Sequence, residues 1–297
     1  MPHILTLVAP PGQLRPALLP AVRAALTALG ADCGTPAWLS GDEAADIPFI
    51  HLAPEAATAA ARAALCDAPA DAIAQPAEGR RKKLLLADMD STMVTSETLD
   101  ELAAEAGLKG EIAAITARAM NGELDFKSAL RARVAMLKGL PAAALDRTWA
   151  STELMPGARE LVATMRSAGA HTVLVSGGFT FFTGRVAHAL RFHEHHSNTL
   201  NLDDEVLDGT VAEPILDRDA KLDILRRLAA ARGLPLSETL AVGDGANDLP
   251  MLLAAGLGVA FRAKPVVRAQ ARVQINHADL TALLFAQGFR RDEFVTA

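Results

Sequence analysis

The chain has 297 residues, 51% of them hydrophobic and 22% charged, with a formal net charge of −6. That length buries a sizeable core and accommodates one large domain beside a smaller one. The mildly acidic balance argues against a nucleic-acid partner, which needs a basic face, and no window approaches the ~18 uninterrupted apolar residues of a membrane span.

Ile4 to Val8 reads as a strand, which Pro10-Pro11-Gly12 ends. No basic region precedes Ile4-Leu5 and the apolar stretch is cut short, so the start lacks a secretory pattern and points to a cytoplasmic protein. Leu18, Val22, Leu26 and Leu29 recur at helical spacing, with Gly30 as the stop. A second apolar strand near Ile47 to Leu52 and a helix from Pro54 to Leu65 complete a small α+β unit over residues 1–75. Its simplest order is strand–helix–strand–strand–helix–strand. Cys33 and Cys66 read as small, reduced, partly buried side chains. The Ala/Pro/Gln-rich stretch Ala68 to Gly79 reads as a linker, and the boundary between the two domains is set at residues 76–82. Arg80-Arg81-Lys82-Lys83 would be its solvated end.

From Lys83 onward the pattern changes. Leu84 to Ala87, Thr172 to Val175 and Thr239 to Val242 are short apolar runs without polar alternation, as expected of parallel strands covered on both faces. They end at Asp88, at Ser176-Gly177-Gly178 and at Gly243-Asp244. Open parallel sheets bind ligands beyond the carboxyl ends of their strands, so all three ends should face one crevice. The helical stretch of about 96–154 is too long for a plain crossover and reads as a helical cap, with Ser96 capping its first helix and Gly107 ending it.

Asp88-Met89-Asp90-Ser91-Thr92 taken alone could be a turn with solvated carboxylates. Ser176 adds a hydroxyl, and Gly177-Gly178 add accessible backbone N–H groups of the kind a phosphate requires. Gly243 to Asp248 adds two more carboxylates and an amide. Acids crowded together repel one another and a phosphate alike. A divalent cation resolves the conflict, and all-oxygen ligands suit Mg²⁺. Lys221 stands in the first turn of a helical pattern running from Asp219 to Ala231, where the macrodipole disfavours a cation. It is either an exposed lysine offset by Asp217 and Asp219, or a cation held against a phosphate and a carboxylate.

Asp-x-Asp-Ser-Thr, Ser-Gly-Gly, the isolated lysine and Gly-Asp-Gly-Ala-Asn-Asp together resemble the four motifs of the haloacid dehalogenase superfamily. Within it, residues 83 to 285 resemble the phosphoserine phosphatases. The resemblance implies an α/β, Rossmann-like core with a parallel sheet over 83–297, and a helical, C1-type cap. It implies Asp88 as nucleophile and Mg²⁺ ligand, and Asp90 as general acid and base whose backbone carbonyl also binds the metal. Asp244 would be the second carboxylate ligand, with Asp248 in support. Ser176, Gly177 and Lys221 would hold phosphoryl oxygens, and Asn247 would help position the phosphate.

The cap must choose the substrate. Glu97 stands at the entrance to the first cap helix, where the dipole favours an acid in any case. Arg133 falls within or beside the apolar stripe of Phe126, Leu130 and Leu137, on a helix expected from Asp125 to Leu137; a snorkelling arginine would also sit there. The resemblance assigns Glu97 to the amino group and Arg133 to the carboxylate of phosphoserine, with Met120 and Phe126 as apolar walls. Another small phosphomonoester is the alternative substrate, and an amino-acid-sensing regulator with a decayed site is the alternative class.

His193, His195 and His196 read as a loop of solvated histidines, because no acid or cysteine ligand supports a metal site there. Phe181 and Phe182 read as core packing for the helix after Ser-Gly-Gly. The N-terminal unit resembles a degenerate ACT-like module in order and length. It could bind an amino acid such as serine, mediate a homodimer or only stabilise its neighbour.

Overall fold

Leu84, Leu85, Leu86 and Ala87 are all fully buried, which is why their run shows no alternation. The structure is a computed structural model that describes residues 2–121 and 123–296; the expected role of Met120 falls on a side chain outside the described residues. In chain order the elements begin with β1 (His3–Val8), α1 (Leu18–Ala28), β2 (Asp32–Cys33), β3 (Ala37–Ser40), β4 (Ala44–Ile50), α2 (Pro54–Leu65) and β5 (Asp71–Pro76). Then come β6 (Leu84–Ala87), α3 (Thr98–Ala104), α4 (Lys109–Met120), α5 (Phe126–Ala135), α6 (Ala143–Ala150) and α7 (Ala158–Ser167). They continue with β7 (His171–Phe179), α8 (Thr180–Leu190), β8 (Glu194–Asn198), β9 (Leu200–Asp203), β10 (Val206–Val211) and α9 (Arg218–Ala231). The last are β11 (Thr239–Gly243), α10 (Leu249–Ala254), β12 (Leu257–Phe261), α11 (Pro265–Arg268), β13 (Val273–Ile275) and α12 (Ala282–Ala286). None of the described helices is long and apolar enough to cross a membrane.

The chain divides into two compact units, and the division differs from a cut near residue 80. One unit joins residues 1–83 with 156–170 and 272–297; the other comprises 84–155 and 171–271. In the first, β1 lies between β4 and β5, antiparallel to both, and β2 and β3 pair with β4. Three strands therefore separate α1 from α2, where the sequence pattern suggested two. The stretch expected to be linker carries β5, and its Ala72, Ile73 and Ala74 are buried. Asp71 accepts from the backbone N–H groups of Asn276, His277 and Ala278 at 2.8, 3.0 and 3.0 Å. Arg80, expected in solvent, pairs with Asp46 at 2.6 Å and donates to the carbonyls of Phe285 and Ala286. Long-range partners of this kind leave no trace in local composition. Cys33 is half-buried and Cys66 exposed, both as free thiols.

In the second unit β6 lies between β11 and β7, parallel to both, with β12 beyond β11 and β8 beyond β7. Ala87 is in register with Val242 and Leu174, so the chain leaves all three strands at one edge of the sheet. Strand β7 runs on to Phe179 through the Ser-Gly-Gly motif. Its pairing with β8 shifts between Val175 and Phe179, which releases Ser176 to Gly178 from the ladder. The cap is α3 to α6. Helix α3 starts from Glu97 at the N-cap, one residue after the expected Ser96, and Asp125 caps α5 by accepting from the Ser128 N–H at 2.8 Å.

The β9–β10 hairpin was not foreseen. Leu207 exchanges backbone hydrogen bonds with Gly139 and Leu140, bracing the end of the cap. The histidines lie on or beside β8 and have partners: His195 with Thr183 at 3.0 Å, His193 with Thr172 at 3.0 Å and His196 with Glu194 at 3.1 Å. Phe182 is fully buried, while Phe181 is half-buried beneath the Arg185 guanidinium, 3.4 Å from its ring centre.

Candidate active site

Asp88 follows the last residue of the central strand, and its N–H continues the ladder to the Val242 carbonyl at 3.0 Å. The chain then coils tightly. The Met89 carbonyl accepts from the N–H groups of Thr92, Met93 and Val94, and Ser91 takes a left-handed φ of 52°. This turn holds Asp90 beside Asp88 within the same cavity. Asp90 accepts from the Thr98 N–H at 2.8 Å, and Ser176 Oγ stands 3.4 Å from its other oxygen. Ser176 Oγ in turn accepts from the Gly178 N–H at 2.9 Å.

Lys221 is 0% exposed, so its place in the first turn of α9 puts it in the interior. Its ammonium donates to Asp88 at 2.7 Å and to Asp248 at 2.6 Å. The other Asp248 oxygen accepts from the N–H groups of Asp244 and Gly245 at 3.2 and 3.0 Å. Only glycine fits at 243, since a Cβ there would stand 2.4 Å from the Asp248 carboxylate. Oxygens of Asp88, Asp244 and Asp248 lie within 4.8 Å of one another. Asp248 thus takes the carboxylate position in this trio, while the Asp90 side chain is bonded elsewhere.

Three clustered buried carboxylates, two of them bonded to the one buried ammonium, hold excess negative charge. Burial, then Asp248, pushes Asp88 well above the usual carboxylate range despite Lys221. Burial, then Glu97 and Asp88, pushes Asp244 well above it too. Asp90 is raised by burial, against the pull of its hydrogen bond from Thr98. Burial alone would lower the Lys221 value, but Asp248 and Asp88 outweigh it and the ammonium is held more firmly.

A cavity over this cluster is lined from the sheet by Asp88, Asp90, Ser176, Gly177 and Asn247, and from the cap by Glu97, Phe126 and Arg133. Phe126 covers Gly177 so closely that a Cβ on the glycine would be 2.7 Å from its ring. Glu97 accepts from Ser91 Oγ at 2.7 Å, and burial together with nearby Asp90 raises it to about 7. Arg133 is 6% exposed and donates to Thr116 at 2.9 Å and to the Ala129 carbonyl at 3.2 Å. Every expected site residue with a described side chain therefore converges on one place.

Residues 85–253 match the family model for haloacid dehalogenase-like hydrolases. Phosphoserine phosphatase of Streptococcus thermophilus is 48% identical over 199 residues, covering 67% of this chain and 93% of that protein. The chain belongs to the phosphoserine phosphatase family of haloacid dehalogenase-like hydrolases. Phosphoserine phosphatase of Streptomyces coelicolor is 47% identical over 218 residues, 73% of this chain and 53% of that protein, so this chain spans about half of that relative's length. A solved structure of a phospho-aspartyl intermediate analogue of phosphoserine phosphatase shares 39% identity and a TM-score of 0.67. It covers 69% of this chain and 98% of that one.

Against this family background, the geometry adds residues that sequence reasoning passed over. Asn198 donates to the Gly177 carbonyl at 2.8 Å and accepts from the Leu216 N–H at 2.7 Å, tying the released part of β7 to the segment ahead of α9. Lys264 stands 3.5 Å from Asp244. Neither residue lies in a recognisable motif, and only their distance from the cluster reveals them. Among the described residues neither Asp244 oxygen has a hydrogen-bond partner, although both are buried. A buried carboxylate that accepts no hydrogen bond and has only the Lys264 ammonium at 3.5 Å, beside two other carboxylates, is a poor arrangement for protein alone and a good one for a hard cation with oxygen ligands.

Proposed function

We propose that this chain hydrolyses O-phospho-L-serine to L-serine and phosphate through an aspartyl-phosphate on Asp88, with Mg²⁺ as cofactor. One observation carries the reading: the Asp88 carboxylate, bonded to buried Lys221 at 2.7 Å, faces the same cavity as Glu97 and Arg133 of the cap. A phosphate, an ammonium and a carboxylate each find an opposite charge around that cavity.

An Asp88 oxygen attacks phosphorus as the bond from phosphorus to the serine oxygen breaks, and Asp90 gives that oxygen its proton. Asp90, now a carboxylate, takes a proton from water, whose oxygen attacks the same phosphorus. Phosphate leaves and Asp88 is restored. Burial raises Asp90 and so supports the proton it must carry in the first step. Ser176, the released N–H groups near Gly177, and Lys221 bind phosphoryl oxygens, with Asn247 beside them. Lys221 also orients Asp88. Asp88, Asp244 and the Asp90 carbonyl would hold Mg²⁺, which offsets the charge of carboxylates and phosphoryl group. Phe126 packs over Gly177 and excludes water. The proposed setting is the cytoplasm, with the N-terminal unit as an ACT-like module for an amino acid or a second copy of the chain.

Phosphate release from L-phosphoserine, with Mg²⁺ and with EDTA, tests the proposal. Turnover that EDTA abolishes and Mg²⁺ restores is expected. A folded sample that releases no phosphate from phosphoserine, or that uses simple phosphomonoesters equally well, would overturn it.

A further inference from the structure

Two residues that do not line the cavity hold Arg133, Thr116 directly and Asp100 through Thr116. The Thr116 hydroxyl on α4 donates to Asp100 on α3 at 2.6 Å and accepts from Arg133 Nη1 on α5 at 2.9 Å. Asp100 is 8% exposed and Thr116 4%. The same hydroxyl also lies 3.0 Å from the Ile112 carbonyl of its own helix. It has one proton, and the shorter contact to a carboxylate is the stronger of the two. Donation to Asp100 turns an oxygen lone pair toward Arg133, so Asp100 decides how Thr116 presents itself. Among the described residues, Arg133 Nη2 has no protein acceptor, although Arg133 lines the cavity.

We propose that Asp100 and Thr116 are positioning residues that orient Arg133 toward the carboxylate of the substrate, and so set selectivity for a phosphorylated α-amino acid over the corresponding phosphorylated amine. This rests on the function proposed above and assigns the part of the site that reads the carboxylate. A buried arginine on a long, flexible stem pays entropy to hold one geometry. The relay supplies a fixed acceptor for Nη1, and Asp100 supplies a counter-charge that Arg133 keeps when no substrate is present. Three cap helices meet at these three side chains, so packing of the cap fixes the fork before substrate arrives.

The test compares O-phospho-L-serine with O-phosphoethanolamine, which keeps phosphate and ammonium but lacks the carboxylate. Thr116→Val preserves shape and removes the hydroxyl; Asp100→Asn preserves shape and removes the charge. Each should raise KM for phosphoserine about 10-fold while kcat changes little, the scale of a weakened charge-assisted hydrogen bond. KM for phosphoethanolamine should hold, and Thr116→Ser should restore the wild-type preference. Thermal melting identifies a variant that fails to fold; if Thr116→Val fails, Asp100→Asn and Thr116→Ser decide. Full preference retained in the folded variants, or equal losses on both substrates, would overturn the relay alone. A wild type that shows no preference for phosphoserine would overturn the substrate reading and the relay with it.

Discussion

In the proposed mechanism Asp88 is the nucleophile, and its carboxylate is also part of a buried acidic cluster that Lys221 balances only in part. Asp88→Asn keeps the shape and removes both, so turnover of phosphoserine should fall about 10³-fold or more with the melting temperature kept or raised. Steady-state assay beside thermal melting checks it, and substantial residual turnover contradicts the role. Glu97 titrates near neutrality because it is buried and close to Asp90, with a value of about 7. Its charged form, which would pair with the substrate ammonium, is lost as pH falls through that value. KM for phosphoserine should therefore rise below pH 7, and Glu97→Gln should flatten that rise. The acids were legible at this scale because carboxylates clustered at strand ends are costly without a purpose. Lys221 was less so: its spacing left two readings, exposed or phosphate-binding, the family resemblance favoured the second, and the structure buries its ammonium against Asp88 and Asp248.

Among the elements, β7 and α5 meet at the Gly177–Phe126 contact. Gly177→Ala keeps the N–H but places a Cβ 2.7 Å from the Phe126 ring, so the ring must move. We expect kcat/KM to fall about 10-fold, as misplacement at a closed site costs, and adding Phe126→Leu to recover part of the loss. Equal rates for Gly177→Ala and wild type would show that the ring does not constrain the site. The three core strands were readable from unbroken apolar runs, and α2 and α5 from their spacing and starts. Strand β5 was expected only as the last strand of the unit's order and could not be placed, because an Ala/Pro/Gln-rich segment has weak strand propensity and β1 supplies the pairing. The β9–β10 hairpin was missed for a similar reason: its residues alternate weakly, and its bonds to Gly139 and Leu140 lie far away in sequence.

For the whole chain, buried acids make stability depend on pH and, under the proposed function, on Mg²⁺. Asp88, Asp90, Asp244 and Glu97 are all raised in the folded state, so the folded chain binds more protons than the unfolded one between pH ~4 and the raised values. The stability this proton binding contributes is lost as pH rises through that window. Under the proposed function, Mg²⁺ would take the place of those protons. The rise in melting temperature on adding Mg²⁺ should be larger at pH 8 than at pH 5.5, and an equal rise at both would contradict this account. Within the first unit, Asp71→Ala strands three backbone N–H groups and should cost about 1–3 kcal/mol in denaturant unfolding; an unchanged midpoint would show that water replaces the carboxylate. The order of residues alone brought the candidate side chains to the ends of buried strands, because local patterning marks both, and the family resemblance supplied the roles proposed for them. Only the tertiary structure decided which polar groups lose water and which distant ones meet, such as Asn198 with Gly177, or residues 156–170 and 272–297 with the N-terminal unit. Desolvation and long-range hydrogen bonds are properties of three-dimensional neighbours, and no window of the chain contains them.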